Sequence, residues 1–152
     1  MTSYTFLKNG SLSCDSHMKK HMKIQVNGLM IRVDSFKSDD FISLTDMAKF
    51  KDRLASGIVI ANWLSTKYTI QFIGAWEQLH NPDFNVMEFN NIKNDAGSHG
   101  YIVSSSKWIY STNAIGIRSV SGRYGGTYAH RDIAFEFATW LSPEFKLYLI
   151  KE

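Results

Sequence analysis

At 152 residues, with 44% hydrophobic and 14% aromatic content, the chain is long enough for one domain with a substantial core and too apolar to be a wholly disordered tail. Its single cysteine, Cys14, excludes an internal disulfide, and no run approaches the roughly 18 consecutive apolar residues of a spanning helix, so a soluble, reducing compartment such as the cytoplasm is expected. A net charge of +3 is compatible with a polyanionic partner but too modest to specify one.

Residues 1–21 are rich in Ser, Lys and Asn and show little periodicity. They read as a poorly ordered extension or, because Met18 and Met22 are alternative starts, as a misassigned one; the domain is expected over residues 22–152. In Ile24-Gln25-Val26-Asn27-Gly28-Leu29-Met30-Ile31-Arg32-Val33, two apolar runs flank Asn-Gly, the pair that best tolerates the positive φ angles of a type I′ turn, which predicts a β-hairpin. Ser43-Leu44-Thr45-Asp46 fits a capping box opening a helix from Leu44 to Lys51. Ile58 to Leu64 reads as a second helix. Phe72, Ile73, Trp76 and Leu79 form the stripe of an amphipathic third, which ends at His80-Asn81-Pro82 because the residue before proline is pushed out of the helical region.

Residues 85–100 carry a cluster of turn formers, Asn90-Asn91, Asn94-Asp95 and Ala96-Gly97-Ser98, and read as a connecting region in which Met87, Phe89 and Ile92 are able to pack. A strand is expected at Tyr101-Ile102-Val103 and a short helix from Ser106. Ile117 to Val120 and Thr127-Tyr128 read as two strands joined by a glycine-bearing loop, a wing. Closing helices follow: Ile133, Phe137 and Leu141 are spaced four apart, and Ser142-Pro143-Glu144 restarts a helix with Ser as N-cap and Pro at its first position. Phe145, Leu149 and Ile150 still present an apolar face near the last residue, with no C-cap glycine, as expected of a truncated domain.

Charge is distributed more tellingly than its total suggests. Between Asp95 and Asp132 there is no acidic residue, while Lys107, Arg118, Arg123 and Arg131 are all present. A phosphate-facing surface needs such a run, since each neutralised phosphate releases counterions and a neighbouring carboxylate would oppose the contact. Gly125 and Gly126, with Gly122, permit close backbone approach; Ser121 lies in the same turn, Arg123 adds a five-donor fork, and Tyr124 adds a ring or hydroxyl for sugar or phosphate. Asn62, Ser65, Thr66 and Lys67 lie at the joint of two helices, where helix-turn-helix proteins place base-reading side chains.

The Gly122-Arg123-Tyr124-Gly125-Gly126 turn leading into an apolar helical pair, together with Ile42-Ser43-Leu44-Thr45-Asp46-Met47-Ala48-Lys49-Phe50, Asn62-Trp63-Leu64 and Glu77-Gln78-Leu79-His80-Asn81-Pro82, resembles the KilA-N domain. That module occurs in phage, bacterial and large DNA virus proteins and is related to the fungal APSES DNA-binding domain. The likeness runs from about Lys23 to Glu152. It implies an α+β fold: a single compact domain with an N-terminal β-hairpin, a helix-turn-helix-like unit, a β wing and closing C-terminal helices. It also implies a noncatalytic double-stranded DNA binder, without a cofactor, that regulates transcription in a phage, mobile-element or viral programme.

Two other classes compete. A protein-interaction module, such as an antirepressor with a protein partner, would use tryptophans left exposed among Trp63, Trp76, Trp108 and Trp140; core filling is the simpler role for them. A metal-dependent nuclease would draw on His80 with Asp83, His130 with Asp132, and His99, but none has diagnostic metal-site spacing, and the chain has no Cys-x-x-Cys, His-Glu-x-x-His, P-loop or nucleophile elbow.

Overall fold

The Asn-Gly pair makes the expected turn: Asn27 and Gly28 have φ of 49° and 85°. They join strands β1 (His21–Val26) and β2 (Leu29–Phe36) antiparallel, with Ile24 opposite Ile31. The computed structural model describes residues 21–151 apart from Tyr124. The expectations for residues 1–20 therefore lie outside the described residues, and β1 begins at His21, one residue inside the expected extension.

A second tight turn follows at Lys37-Ser38, φ 51° and 71°, and returns the chain as β3 (Asp39–Ser43), antiparallel to β2. Neither residue carries the Asn-Gly signature, so this strand is not apparent in the sequence. Helix α1 (Leu44–Ala48) is shorter than the expected Leu44 to Lys51, because the chain tightens into i→i+3 bonds, with Phe50 N to Met47 O and Lys51 N to Ala48 O both 3.0 Å. Ser43 Oγ accepts from Asp46 N at 3.0 Å, as an N-cap should. The Asp46 carboxylate accepts instead from Arg32: backbone N at 2.9 Å, Nε at 2.8 Å and Nη2 at 3.0 Å.

Helices α2 (Ser56–Leu64) and α3 (Lys67–His80) follow, and α3 ends where Pro82 requires. Its buried face runs through Ile70, Ile73, Trp76 and Glu77, whereas Leu79 is 81% exposed; the expected stripe is rotated. The connecting region is itself a helix, α4 (Val86–Asp95), started by the Asn85 side chain accepting from Glu88 N at 3.1 Å. The Asn90-Asn91 and Asn94-Asp95 pairs expected to turn lie within this helix, and Asn85 is its N-cap. Phe89 and Ile92 are buried and Met87 is exposed. Phe89 occupies a groove open only because residue 74 is glycine, where an added Cβ would lie 2.1 Å from its ring.

The expected strand at 101–103 does not form: buried Val103 donates its N–H to Ser65 Oγ at 2.8 Å, in place of a strand partner. Helix α5 (Ser105–Thr112) is as anticipated, and β4 (Ile117–Val120) and β5 (Gly126–His130) form the hairpin. This hairpin is not free-standing. β5 also pairs with β3, giving a five-stranded antiparallel sheet in the order β1-β2-β3-β5-β4. Helices α6 (Arg131–Leu141) and α7 (Pro143–Lys151) close the fold, with Ser142 Oγ accepting from Phe145 N at 3.1 Å. Phe145 and Leu149 are buried, while Ile150 points outward.

One face of the sheet carries Ile31, Val33, Ile42, Ile117 and Ala129 into a core with Trp63, Trp108, Ile73 and Phe137. Burying each large apolar side chain is worth about 1.5–3 kcal/mol. A buried polar anchor secures the far end. Glu77 accepts from Asn81 Nδ2 (2.9 Å), Ile115 N (3.0 Å) and Gly116 N (2.6 Å), and Asn81 also donates to Asn113 O (2.8 Å). Residue 116 must be glycine for this approach, because a Cβ there would lie 2.6 Å from Ile133 and 2.8 Å from Trp76. Among the described residues no helix is long and apolar enough to cross a membrane.

Candidate nucleic-acid interface

The pairing of β3 with β5 places Ser43 opposite Tyr128, so the first turn of α1 runs alongside the start of β5. Thr45 Oγ1 accepts from Thr127 N at 2.9 Å. Gly126 has φ 137°, and a Cβ there would lie 2.9 Å from Thr45 Oγ1; at Gly125 it would lie 2.2 Å from Val120 O. The turn closes through Gly125 N to Gly122 O at 3.0 Å. These glycines serve turn closure and packing on α1, while Ser121 and Arg123 are exposed at the tip. Tyr124 lies outside the described residues.

The four residues of the helical joint divide. Ser65 is buried, with its hydroxyl donating to Ala61 O at 2.6 Å and accepting from Val103 N at 2.8 Å. Thr66 caps α3, accepting from Thr69 N at 3.3 Å. Both hydroxyls are engaged within the protein, whereas Asn62 and Lys67 are exposed. The Val103 segment leads to α5, where Ser104 accepts from Lys107 N at 3.1 Å and Ser105 Oγ lies 3.5 Å from Thr127 Oγ1. Contacts from Ser65 to Val103 and from Ser105 to Thr127 thus set the α2–α3 joint, the first turn of α5 and the β4–β5 turn side by side. Lys67, Lys107 and Arg123 project from them, Lys107 Nζ lying 5.0 Å over the Tyr101 ring.

Arg118 and Arg131 do not join this group. Strand alternation turns Arg118 to the face opposite Ile117, where its guanidinium lies 3.8 Å from the Phe36 ring centroid and 5.6 Å from that of Phe41. Its Nη1 is buried without a hydrogen-bond partner among the described residues. Arg131 is exposed at the start of α6, beyond the far end of β5 and roughly 13 Å or more along the strand from Gly126 at about 3.3 Å per residue. The acid-free run is therefore not one surface.

Sequence reasoning does not single out Thr45 or Arg32, which hold the turn in place. Thr45 sits within a motif that reads only as a helix start, and the Arg32 to Asp46 contact spans 14 residues with no local signal. Burial alone would raise the Asp46 carboxyl, but the hydrogen bonds and charge of Arg32 more than offset it and leave Asp46 below the ordinary carboxylate range. The same hydrogen bond raises Arg32 against its own desolvation. Tyr68 and Gln71 also escape a sequence reading; the rotation of the α3 stripe exposes them on its first two turns.

His130 and His80 have local roles. His130 caps α6, its Nδ1 accepting from Asp132 N at 3.1 Å, and His80 Nδ1 lies 2.8 Å from Trp76 O. Among the described residues no three His, Cys, Asp or Glu side chains converge as metal ligands. Trp63, Trp76 and Trp108 are buried and Trp140 packs against the core.

An antiparallel sheet whose edge hairpin is braced on a helical unit, with exposed cations on three linked elements, defines a small α+β domain. Residues 23–152 match the KilA-N domain, and the chain belongs to that family, whose members are generally DNA-binding. Neither a curated protein nor a solved structure matches it.

Proposed function

We propose that the chain is a noncatalytic double-stranded DNA-binding domain serving regulation, including transcription regulation, in a phage, mobile-element or viral context. The observation that carries this reading is the juxtaposition of Lys67, Lys107 and Arg123 on three elements linked through Ser65, Val103, Ser105 and Thr127. Family membership supports the DNA partner; the regulatory context rests on the family likeness alone. In this reading Arg123, Lys107 and Lys67 anchor phosphates, with Ser121 and the Gly125-Gly126 backbone close to the duplex, and Asn62 contacts base edges. Arg118 contributes packing and Arg131 lies apart.

Fluorescence anisotropy of the chain against mixed-sequence duplex and single-stranded DNA across a salt series tests it. Duplex binding should weaken steeply with salt, and an Arg123→Ala/Lys107→Ala double variant should flatten the log–log slope by about 2. Folded protein that ignores duplex DNA even at low salt would refute the reading.

A further inference from the structure

The segment after α1 forms a second basic projection, residues 49–55, carrying Lys49, Lys51 and Arg53. It is braced from both sides. The Phe50 ring packs 4.8 Å from Phe145 of α7, and Lys51 Nζ sits 4.6 Å over the Trp140 ring of α6. Its one carboxylate, Asp52, is exposed, with Oδ1 accepting from Leu54 N at 2.9 Å and Ala55 N at 3.2 Å within the loop. The nearest acid of α1, Asp46, is occupied by Arg32, and Lys49 Nζ approaches it only to 3.7 Å. Three cations against the one exposed carboxylate of Asp52 leave the loop net cationic. At the tip Arg53 is exposed and Leu54 is 97% exposed, an uncommon display of a large apolar side chain on a loop whose neighbours are anchored.

Position supplies the second argument. Thr45, at the start of α1, touches the β4–β5 turn through Thr127 N. The five residues of α1 advance only about 7 Å at roughly 1.5 Å per residue. The loop thus begins about 7 Å along α1 from the residue that holds the start of β5.

We propose that the 49–55 loop is a second DNA contact that extends the footprint along α1. Lys49 and Arg53 take phosphates on the backbone, and Leu54 packs on the sugars and wall of the adjacent groove. Charge complementarity selects the polyanion: a duplex matches the loop's net positive charge and also offers an apolar sugar edge to the leucine. This rests on the function proposed above.

The test uses the full chain and a mixed-sequence duplex, comparing the wild type with Lys49→Ala/Arg53→Ala, Leu54→Ser and Arg123→Ala/Lys107→Ala, each checked for an unchanged thermal midpoint. The Lys49/Arg53 variant should flatten the salt slope by about 2 and weaken binding about tenfold near 0.1 M salt. Leu54→Ser should weaken binding with the slope retained, since it removes no cation. If the Lys49/Arg53 variant keeps wild-type affinity and slope while the Arg123/Lys107 variant loses both, the loop is not a DNA contact although the domain is a DNA binder. If the wild type itself does not bind duplex, both proposals fall.

Discussion

Replacing Asp46 should loosen the domain at the point where sheet, α1 and the β4–β5 turn meet. Its carboxylate accepts three N–H bonds from Arg32 at 2.8 to 3.0 Å, and the Asp46 side chain is 6% exposed against 21% for Arg32. Asp46→Ala leaves the guanidinium without its carboxylate in a partly dry site. Removing one partner of a fully buried pair costs about 3–5 kcal/mol, and the residual exposure of Arg32 reduces this to about 2–4 kcal/mol. At this chain length that lowers the thermal midpoint by about 5–15 °C. An Arg32→Met/Asp46→Leu double variant should recover much of the loss, because no charge is then stranded.

The pH dependence has a definite sign. Asp46 is depressed in the folded state, so its contribution is fully present above the ordinary carboxylate value of about 3.9 and fades as pH falls through the folded value. Urea denaturation from pH 7 down to pH 3 should show the wild type converging on Asp46→Asn below about pH 4. A loss under about 1 kcal/mol for Asp46→Ala at pH 7, or parallel pH profiles for wild type and Asp46→Asn, would refute this account of the pair.

Glu77→Ala should cost about 2–4 kcal/mol by urea denaturation, since the amides of Ile115 and Gly116 lose the acceptor that the fully buried Glu77 supplies. Gly126→Ala should destabilise by about 1–3 kcal/mol and raise amide exchange at Thr127, as the added Cβ meets Thr45 at 2.9 Å from a backbone at φ 137°. Arg118→Ala should leave the salt dependence of duplex binding unchanged while lowering the thermal midpoint, because its guanidinium packs on Phe36 rather than toward Lys107. A reduced salt slope in that variant would place Arg118 in the interface after all.

Signals carried by neighbours in the chain are legible in the residues alone. Asn27-Gly28 specifies its hairpin because only residues tolerant of positive φ fit the turn, and Ser43 and Ser142 specify helix starts because their hydroxyls reach amides three residues ahead. The closing helices follow from such local patterns, and the α+β class from the resemblance that the motifs carry. Errors arise where a local signal is overridden: Asn90-Asn91 and Asn94-Asp95 have turn composition but lie within a helix, and Tyr101-Ile102-Val103 has strand composition but no strand partner. Apolar periodicity shows that α3 is amphipathic, but its orientation is settled by the glycine groove that receives Phe89 and by the anchoring of Glu77 on Gly116.

The candidate interface is legible as composition and not as geometry. Residues 96–131 contain the cations and glycines of a phosphate-facing surface, yet strand alternation sends Arg118 to the opposite face and the length of β5 carries Arg131 away. The elements carrying Lys67 and Lys107, 40 positions apart in the chain, are linked to each other and to β5 only because Ser65 accepts from Val103 and Ser105 reaches Thr127. Element types are properties of a few consecutive residues, where backbone sterics and nearby hydrogen bonds decide. A shared surface is a property of long-range pairing, decided by which buried groups find partners across the fold.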